Sequence, residues 1–418
     1  MPVGSGNWMP GMDMSVLICN RVYMFKKLHK KIDERRDLLA WAGQLEAVTG
    51  IPKERIADDQ AALWRDHLIT RDEYAEFRLC CAPAALHDNF LGLNEQRPYL
   101  DLLNPKRYYI LSRNKFLANR LFAMSGIPSA ELLCCYRPEG KVLTDSLIVN
   151  DLQGVLTRLS KQSASAFVVK AAEGAHGHNV CLFKVMEYGK DEVWLRRFDG
   201  QEMPLSSLLG NETLVFEQAV KQTAQFASFN PSSVNTIRFM TTLFPDGRVQ
   251  IIAAFIKIGR AGHCVDNAGD GGNVDACIDT NTGEIVFALQ YDGIDNIREV
   301  ECHPDSGARL KGVMVENWSY IKQRVCSFQR AYPYCKAPGW DIAITAAGPV
   351  VIEVNDFWDR TGQLFIQRGW RKEIRDCWLA WRATGKEWIF GRDYNHLPWS
   401  RISEVISEKN ENRFIKRD

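Results

Sequence analysis

From about Ser15 to Phe90, apolar and charged residues alternate at helical spacing, as in Leu38-Leu39-Ala40-Trp41-Ala42 and Ala57-Asp58-Asp59-Gln60-Ala61-Ala62-Leu63-Trp64, which predicts a helical N-terminal region. After Asn104 the pattern changes to alternating strands and helices. Asn114-Lys115 opens a helix that runs through Met124 and is stopped by Ser125-Gly126-Ile127-Pro128, and Leu132-Leu133-Cys134-Cys135-Tyr136 reads as a strand. Asp151 to Ser160 is predicted helical, and Ala166-Phe167-Val168-Val169-Lys170 is predicted as a buried strand. Strands dominate from Val180 to Leu289, with hairpin turns at Pro245-Asp246-Gly247 and Asn281-Thr282-Gly283. Helices are expected again over Val313 to Tyr332 and Glu373 to Trp381.

Between those last two helices lie two short apolar runs, Trp340-Asp341-Ile342-Ala343-Ile344 and Val350-Val351-Ile352-Glu353-Val354-Asn355. A hairpin centred on Ala347 makes Asp341 and Glu353 cross-strand neighbours and turns Asn355 to the same face. Three hard oxygen ligands among β-branched residues are poor core material, because an unpaired buried carboxylate is costly. A divalent cation offsets that cost, and Mg²⁺ shared with substrate phosphates suits this ligand set.

The chain has 418 residues, which predicts more than one packed unit, and its 46% hydrophobic and 25% charged composition is that of a globular protein. With 52 Lys+Arg against 51 Asp+Glu, binding of nucleic acid through a global basic field is not expected. The 12 cysteines include the adjacent pairs Cys80-Cys81 and Cys134-Cys135 but no CxxC, so reduced thiols in a cytoplasmic protein are expected in place of a disulfide or zinc framework. The apolar run Met14 to Phe25 is broken by Asn20 and Arg21 and is too short to span a bilayer. With Lys26, Lys27, Lys30 and Lys31 behind it, it reads as an amphipathic packing helix before a membrane-surface one.

Several segments carry candidate chemistry. Lys170 ends its strand and runs into Glu173-Gly174-Ala175-His176-Gly177-His178-Asn179, a small loop whose N–H groups suit phosphate oxygens; an ordinary hairpin turn with an exposed lysine fits as well. Leu214-Val215-Phe216-Glu217-Gln218-Ala219-Val220 is either a hinge offering backbone groups to a purine or an edge strand with one solvent-facing acid. Asn235 and Arg238 flank a strand start, and Lys257 lies inside the apolar strand Ile251 to Ile258, where a cation needs an anionic partner. A protein carboxylate is one such partner, but convergence of Lys170, Arg238 and Lys257 on phosphates fits the acidic hairpin better. In the loop Asp266 to Asn273, Gly271-Gly272 is a candidate anion nest and Asp266 a candidate partner or base for an amine.

The order of these segments resembles the ATP-grasp fold. More narrowly, Asn114-Lys115, Val234-Asn235-Thr236-Ile237-Arg238, Val265-Asp266-Asn267, Gly271-Gly272, Gly339-Trp340-Asp341-Ile342-Ala343 and Ile352-Glu353-Val354-Asn355 resemble its sugar-transfer-associated branch over roughly Asn104 to Trp370. The resemblance implies an α+β protein whose two lobes sandwich ATP. Together with the helical periodicity of the N-terminal region, which the resemblance does not cover, it divides the chain into a helical N-terminal region (1–100), a linking α/β segment (101–165), a small lobe (166–220), a large lobe (221–395) and a tail (396–418). It further implies that Lys115, Lys170, Glu173, Gly174, His176 and Gly177 meet the phosphates and that Glu217, Gln218, Ala219 and Val220 form the adenine hinge. Arg238, Lys257 and Asp266 would serve the transfer, and Asp341, Glu353 and Asn355 would hold Mg²⁺. Many relatives carry an acid after the hinge for the ribose hydroxyls; here Lys221-Gln222 stand there, and Gln222 is the candidate.

A carboxylate–amine ligase working through an acylphosphate leads the functional expectations, with small-molecule substrates and a place in sugar or cell-surface polysaccharide synthesis. A small-molecule kinase and a non-catalytic nucleotide-binding partner module are the alternatives. Asn355-Asp356-Phe357-Trp358-Asp359-Arg360 either lines the acceptor pocket, with Arg360 meeting a carboxylate, or packs the lobe interface.

Overall fold

The computed structural model describes residues 34–140, 145–174, 180–262, 266, 271–292 and 296–384. The helical reading of 15–33, most of the phosphate loop including His176 and Gly177, and the segment beyond 384 lie outside the described residues.

The chain divides into two units between Ala84 and Ala85. In the first, α1 (34–49), α2 (Lys53–His67) and α3 (Arg71–Glu76) follow the predicted helical periodicity. Thr70 starts α3 with a reciprocal cap: its Oγ1 accepts from the Glu73 N–H, and the Glu73 carboxylate accepts from the Thr70 N–H.

In the second unit, α4 (Leu93–Leu103), the single turn α5 (Ile110–Arg113) and α6 (Lys115–Met124) lead into the sheets. Asn114 caps α6, its Oδ1 accepting from the Leu117 N–H at 3.0 Å. The smaller lobe is a seven-stranded sheet of β1 (Leu132–Tyr136), β2 (Ile148–Val149), β3 (Ala166–Ala171), β4 (Cys181–Tyr188), β5 (Val193–Arg197), β6 (Glu202–Pro204) and β7 (Leu214–Gln218), in the order β2-β1-β7-β3-β4-β5-β6. The linking segment 101–165 therefore contributes strands to the same sheet as Lys170. Helix α7 (Leu152–Lys161) covers one face of it through Val155, Leu156 and Leu159.

After α8 (Ala224–Phe229), the larger sheet comprises β8 (Thr236–Leu243), β9 (Val249–Ile258), β10 (Val274–Ile278), β11 (Ile285–Tyr291) and β12 (Ile297–Glu299). Beyond α9 (Trp318–Ala331) come β13 (Gly339–Thr345) and β14 (Gly348–Asn355). The sheet order is β12-β11-β10-β9-β8-β13-β14, antiparallel throughout. α10 (Gly362–Phe365) and α11 (Arg371–Ala383) close the described chain. The mixed α+β character and the two lobes agree with the sequence expectation.

Period-2 alternation gives the larger sheet two different faces. Ile237, Phe239, Ala254, Ile256, Trp340 and Ile342 point into a core shared with α9, where Phe239 stacks on Trp318. The alternate positions of β8, β9, β13 and β14 form the opposite face. There Phe255, Arg238, Asp341 and Glu353 stand in one row across four strands, and Lys257 and Thr236 stand opposite each other in the next.

Helix α9 is shorter than predicted. Its expected first residues are held elsewhere: Glu284 bridges Met314, and the Val315 N–H donates to Gly283 O. Gly283 itself has φ +85°, and an added Cβ would lie 2.5 Å from Trp318 Cγ. A left-handed alanine and displacement of a core tryptophan together should cost Gly283→Ala about 2–4 kcal/mol, read as a lower urea midpoint at unchanged slope.

Candidate functional site

The polar row of the larger sheet faces the smaller sheet across a cavity of about 850 Å³. At its floor, three strands supply a buried charge network. Arg238 on β8 lies directly opposite Asp341 on β13 and grips its carboxylate with two hydrogen bonds, Nε to Oδ1 at 2.6 Å and Nη2 to Oδ2 at 3.0 Å. Lys257 on β9 reaches the same carboxylate at 3.1 Å and Asp266 at 3.5 Å. Asp266 is held in turn by Thr236, which donates its N–H at 2.8 Å and its hydroxyl at 2.5 Å.

Proton affinities follow from this enclosure. Burial alone would raise the Asp341 carboxyl, but the charges of Arg238 and Lys257 outweigh it and leave its pKa at about 2. Burial works against the charge on Lys257, yet Asp266 and Asp341 hold its pKa above the usual lysine value. For Asp266 burial wins over the attraction of Lys257, and its pKa is raised. The sequence pattern favoured phosphates over protein carboxylates as partners of these cations. The structure gives both Arg238 and Lys257 a carboxylate, because a cation sealed into an apolar strand needs a counter-charge whether or not a ligand is bound.

Glu353 is differently placed. It is the cross-strand partner of Asp341, as predicted, and lines the cavity, but among the described residues its carboxylate makes neither an ion pair nor a hydrogen bond. Its charge is felt by Lys115, Lys170, Arg238 and Lys257. Asn355 lies beside it on the same strand, its Nδ2 3.4 Å from Asp341 Oδ2. A half-buried, uncommitted carboxylate next to an amide fits a divalent cation held by hard oxygens. Asp341 has both oxygens engaged and would join such a site only by sharing one.

The opposite wall belongs to the smaller lobe. β7 is a central strand between β1 and β3, which excludes the edge-strand reading of Leu214 to Val220. Glu217 is buried there and bonded to Lys170 Nζ at 2.7 Å. Burial opposes the charge on Lys170, but Glu217 carries its pKa above the usual value. Gln218, Ala219 and Val220 continue along the cavity wall. Lys115 enters from the start of α6, its Nζ 3.2 Å from Gly174 O, and burial lowers its pKa. Glu173 bonds Asn114 through its side chain and does not line the cavity.

Three sequence readings are placed by the structure as follows. Gln222 lines the cavity but spends its amide on the chain: Nε2 donates to Asn230 O and Ser233 O, and Oε1 accepts from the backbone and side chain of Asn235. It has nothing left for a ribose. Gly271-Gly272 lies outside the cavity lining; both residues are left-handed, and Gly272 O accepts from Arg260 and Gln290. Trp358 touches the cavity but is a core residue, donating to Ala337 O and packed edge-on against Trp370, whereas Phe357 is exposed along the lining and Arg360 is not part of it.

Sequence reasoning missed Thr236, which fixes Asp266, and Asp275, a fully buried acid directly opposite Lys257 on β10. An acid inside the apolar run Val274 to Ile278 was the available signal for the latter.

The family described as sugar-transfer associated ATP-grasp matches residues 94–377, more than half of the chain. Among solved structures, the chain is similar to an N5-carboxyaminoimidazole ribonucleotide synthetase from Thermotoga maritima (15% identity, 66% of this chain and 52% of that one, TM-score 0.36). It is also similar to D-alanyl-alanine synthetase A from Vibrio cholerae (13% identity, 64% and 65%, TM-score 0.37) and to a biotin carboxylase from Campylobacter jejuni (10% identity, 64% and 46%, TM-score 0.36). The chain thus spans about half to two thirds of the length of these proteins. No curated protein matches the sequence. No described helix is long and apolar enough to cross a membrane.

The depressed Asp341 pKa sets a pH dependence. Its contribution to stability is complete above the ordinary aspartate value and is lost as pH falls through about 2. Acid titration of the unfolding free energy should show a loss on the order of 2 kcal/mol from this group between about pH 4 and pH 2, and Asp341→Asn should flatten that limb.

Proposed function

This chain belongs to the sugar-transfer associated ATP-grasp family, and from that membership we propose that it is an ATP- and magnesium-dependent ligase joining a carboxylate to an amine through an acylphosphate. One juxtaposition carries the reading: Lys115, Lys170, Arg238 and Lys257 line a single cavity with the uncommitted carboxylate of Glu353. Cations in that arrangement neutralise a transferring phosphoryl group, which asks for positioning and charge more than for covalent chemistry.

The residues divide the work by location. The hinge from Glu217 to Val220 meets the adenine, and Lys115 and Lys170 receive the phosphates. Glu353 and Asn355, with Asp341 if it shared an oxygen, would hold magnesium, which would neutralise charge on the terminal phosphates. Arg238 and Lys257 sit where charge builds on the γ-phosphoryl group. A substrate carboxylate oxygen bonds to the γ-phosphorus as the bond to ADP breaks; the amine then bonds to the acyl carbon and phosphate leaves. Asp266, with its raised pKa, takes the proton the amine gives up.

The same carboxylate supports a second reading, transfer of the γ-phosphoryl group to a hydroxyl. A hydroxyl nucleophile must lose a proton, and Asp266 offers an acceptor beside Lys257. A screen of carboxylate and amine pairs, including sugar acids, amino sugars and amino acids, separates the two. The ligase releases phosphate only with both partners present. The kinase leaves a phosphorylated product without free phosphate. Mg-ATP binding with no turnover in any combination would instead support a non-catalytic nucleotide-binding module that recruits a partner.

Because the Glu353 carboxylate makes no ion pair or hydrogen bond among the described residues, Glu353→Gln should shift the unfolding midpoint little while lowering ATP-dependent turnover about 10²–10³-fold. Steady-state kinetics beside a thermal melt tests this, and near-normal turnover would sink the assignment.

A further inference from the structure

The short segment Ser112 to Lys115 links the two lobes and is fastened to each. At one end, Arg113 forks onto Asp356, with Nη2 to Oδ1 at 2.8 Å and Nε to Oδ2 at 3.0 Å, and Ser112 Oγ donates to the same Oδ2 at 2.5 Å. Asp356 is 3% exposed and directly follows Asn355, and its carbonyl accepts from Asn104 Nδ2 at 2.7 Å. At the other end, the Lys115 N–H donates to Ala172 O at 2.8 Å and Asn114 Nδ2 to Glu173 Oε1 at 3.1 Å. Ala172 and Glu173 lie just beyond the strand that carries Lys170.

We propose that the Arg113–Asp356 fork is a positioning device that sets the distance between the Glu353–Asn355 edge of the larger sheet and the Lys115–Lys170 end of the smaller one. It rests on the nucleotide reading above. Neither Arg113 nor Asp356 lines the cavity, so each acts through its chain neighbour: Asp356 through Asn355, and Arg113 through Lys115. An exposed ion pair would do little, but here the carboxylate is buried and the guanidinium is its two-point anchor. Loosening it leaves the tie from Val351 N–H to Pro128 O as a remaining hold between the halves and lets the span from Glu353–Asn355 to Lys115–Lys170 vary. Only a ligand that spans both halves registers the change.

Binding calorimetry on the full chain tests this with Arg113→Gln. A magnesium-bound, non-hydrolysable ATP analogue spans hinge, lysines and metal edge, whereas AMP without magnesium reaches only the hinge and lysine end. The expected result is a Kd for the analogue weakened by about tenfold or more, with AMP affinity unchanged. Arg113→Lys, which keeps the charge and gives up the fork, should fall between and serves if the glutamine variant does not fold. Equal weakening of both ligands, or of neither, overturns the proposal. If the unaltered chain binds neither ligand, the nucleotide reading itself fails and the positioning role with it.

Discussion

The larger sheet can be built only if the positive charge of Lys257 is matched. This lysine is 5% exposed in a strand whose neighbouring residues are Phe255, Ile256 and Ile258, so burial disfavours its charge. Asp341 supplies the counter-charge from two strands away, with Arg238 between them in register, so the pairing of β9, β8 and β13 is fixed by electrostatics as well as by hydrophobic alternation. A one-residue slip would send Arg238 into the core shared with α9 and leave Asp341 facing a methyl group. The network therefore specifies the register on which the rest of the cavity depends, which is a firmer role than adding net stability.

Much of this was legible before any coordinates. Alternation in Thr236 to Leu243 and Val249 to Ile258 marks both strands, and Pro245-Asp246-Gly247 marks the turn between them. The pairing of Asp341 with Glu353 was also foreseen, but for an incomplete reason. The turn closes on Thr345 and Gly348, half a residue away from the assumed centre on Ala347, and that register alone would set Asp341 opposite Ile352. A bulge at this point moves Glu353 into place. Nothing in Val350 to Asn355 announces a bulge, since every residue there suits a regular strand.

Partnerships over long separations were beyond reach for a different reason. Lys170 and Glu217 stand in strands that are adjacent in space but separated by three others in the chain, and sequence spacing does not order strands within a sheet. Gln222 shows the opposite limit. Its position after the hinge suggested a ligand contact, but a half-buried amide beside the buried polar groups of Asn230, Ser233 and Asn235 is satisfied locally first. Position in a motif nominates a residue, and hydrogen-bond accounting decides whether it has anything left to offer.

The same accounting constrains what the cavity will accept. Among its described lining residues, the five cations Lys115, Lys170, Lys221, Arg238 and Lys257 stand against the five acids Glu217, Asp266, Asp341, Glu353 and Asp359, so that lining has no large excess of positive charge. On the proposed reading, a bare triphosphate would bring excess negative charge into the cavity, toward a carboxylate with no partner among the described residues. A divalent cation reverses that: it turns Glu353 from a repulsive neighbour into a ligand and removes much of the nucleotide's charge in the same contact. If the proposed function holds, nucleotide and metal would therefore enter as one species, with Glu353, unpaired among the described residues, selecting for the metal-bound form.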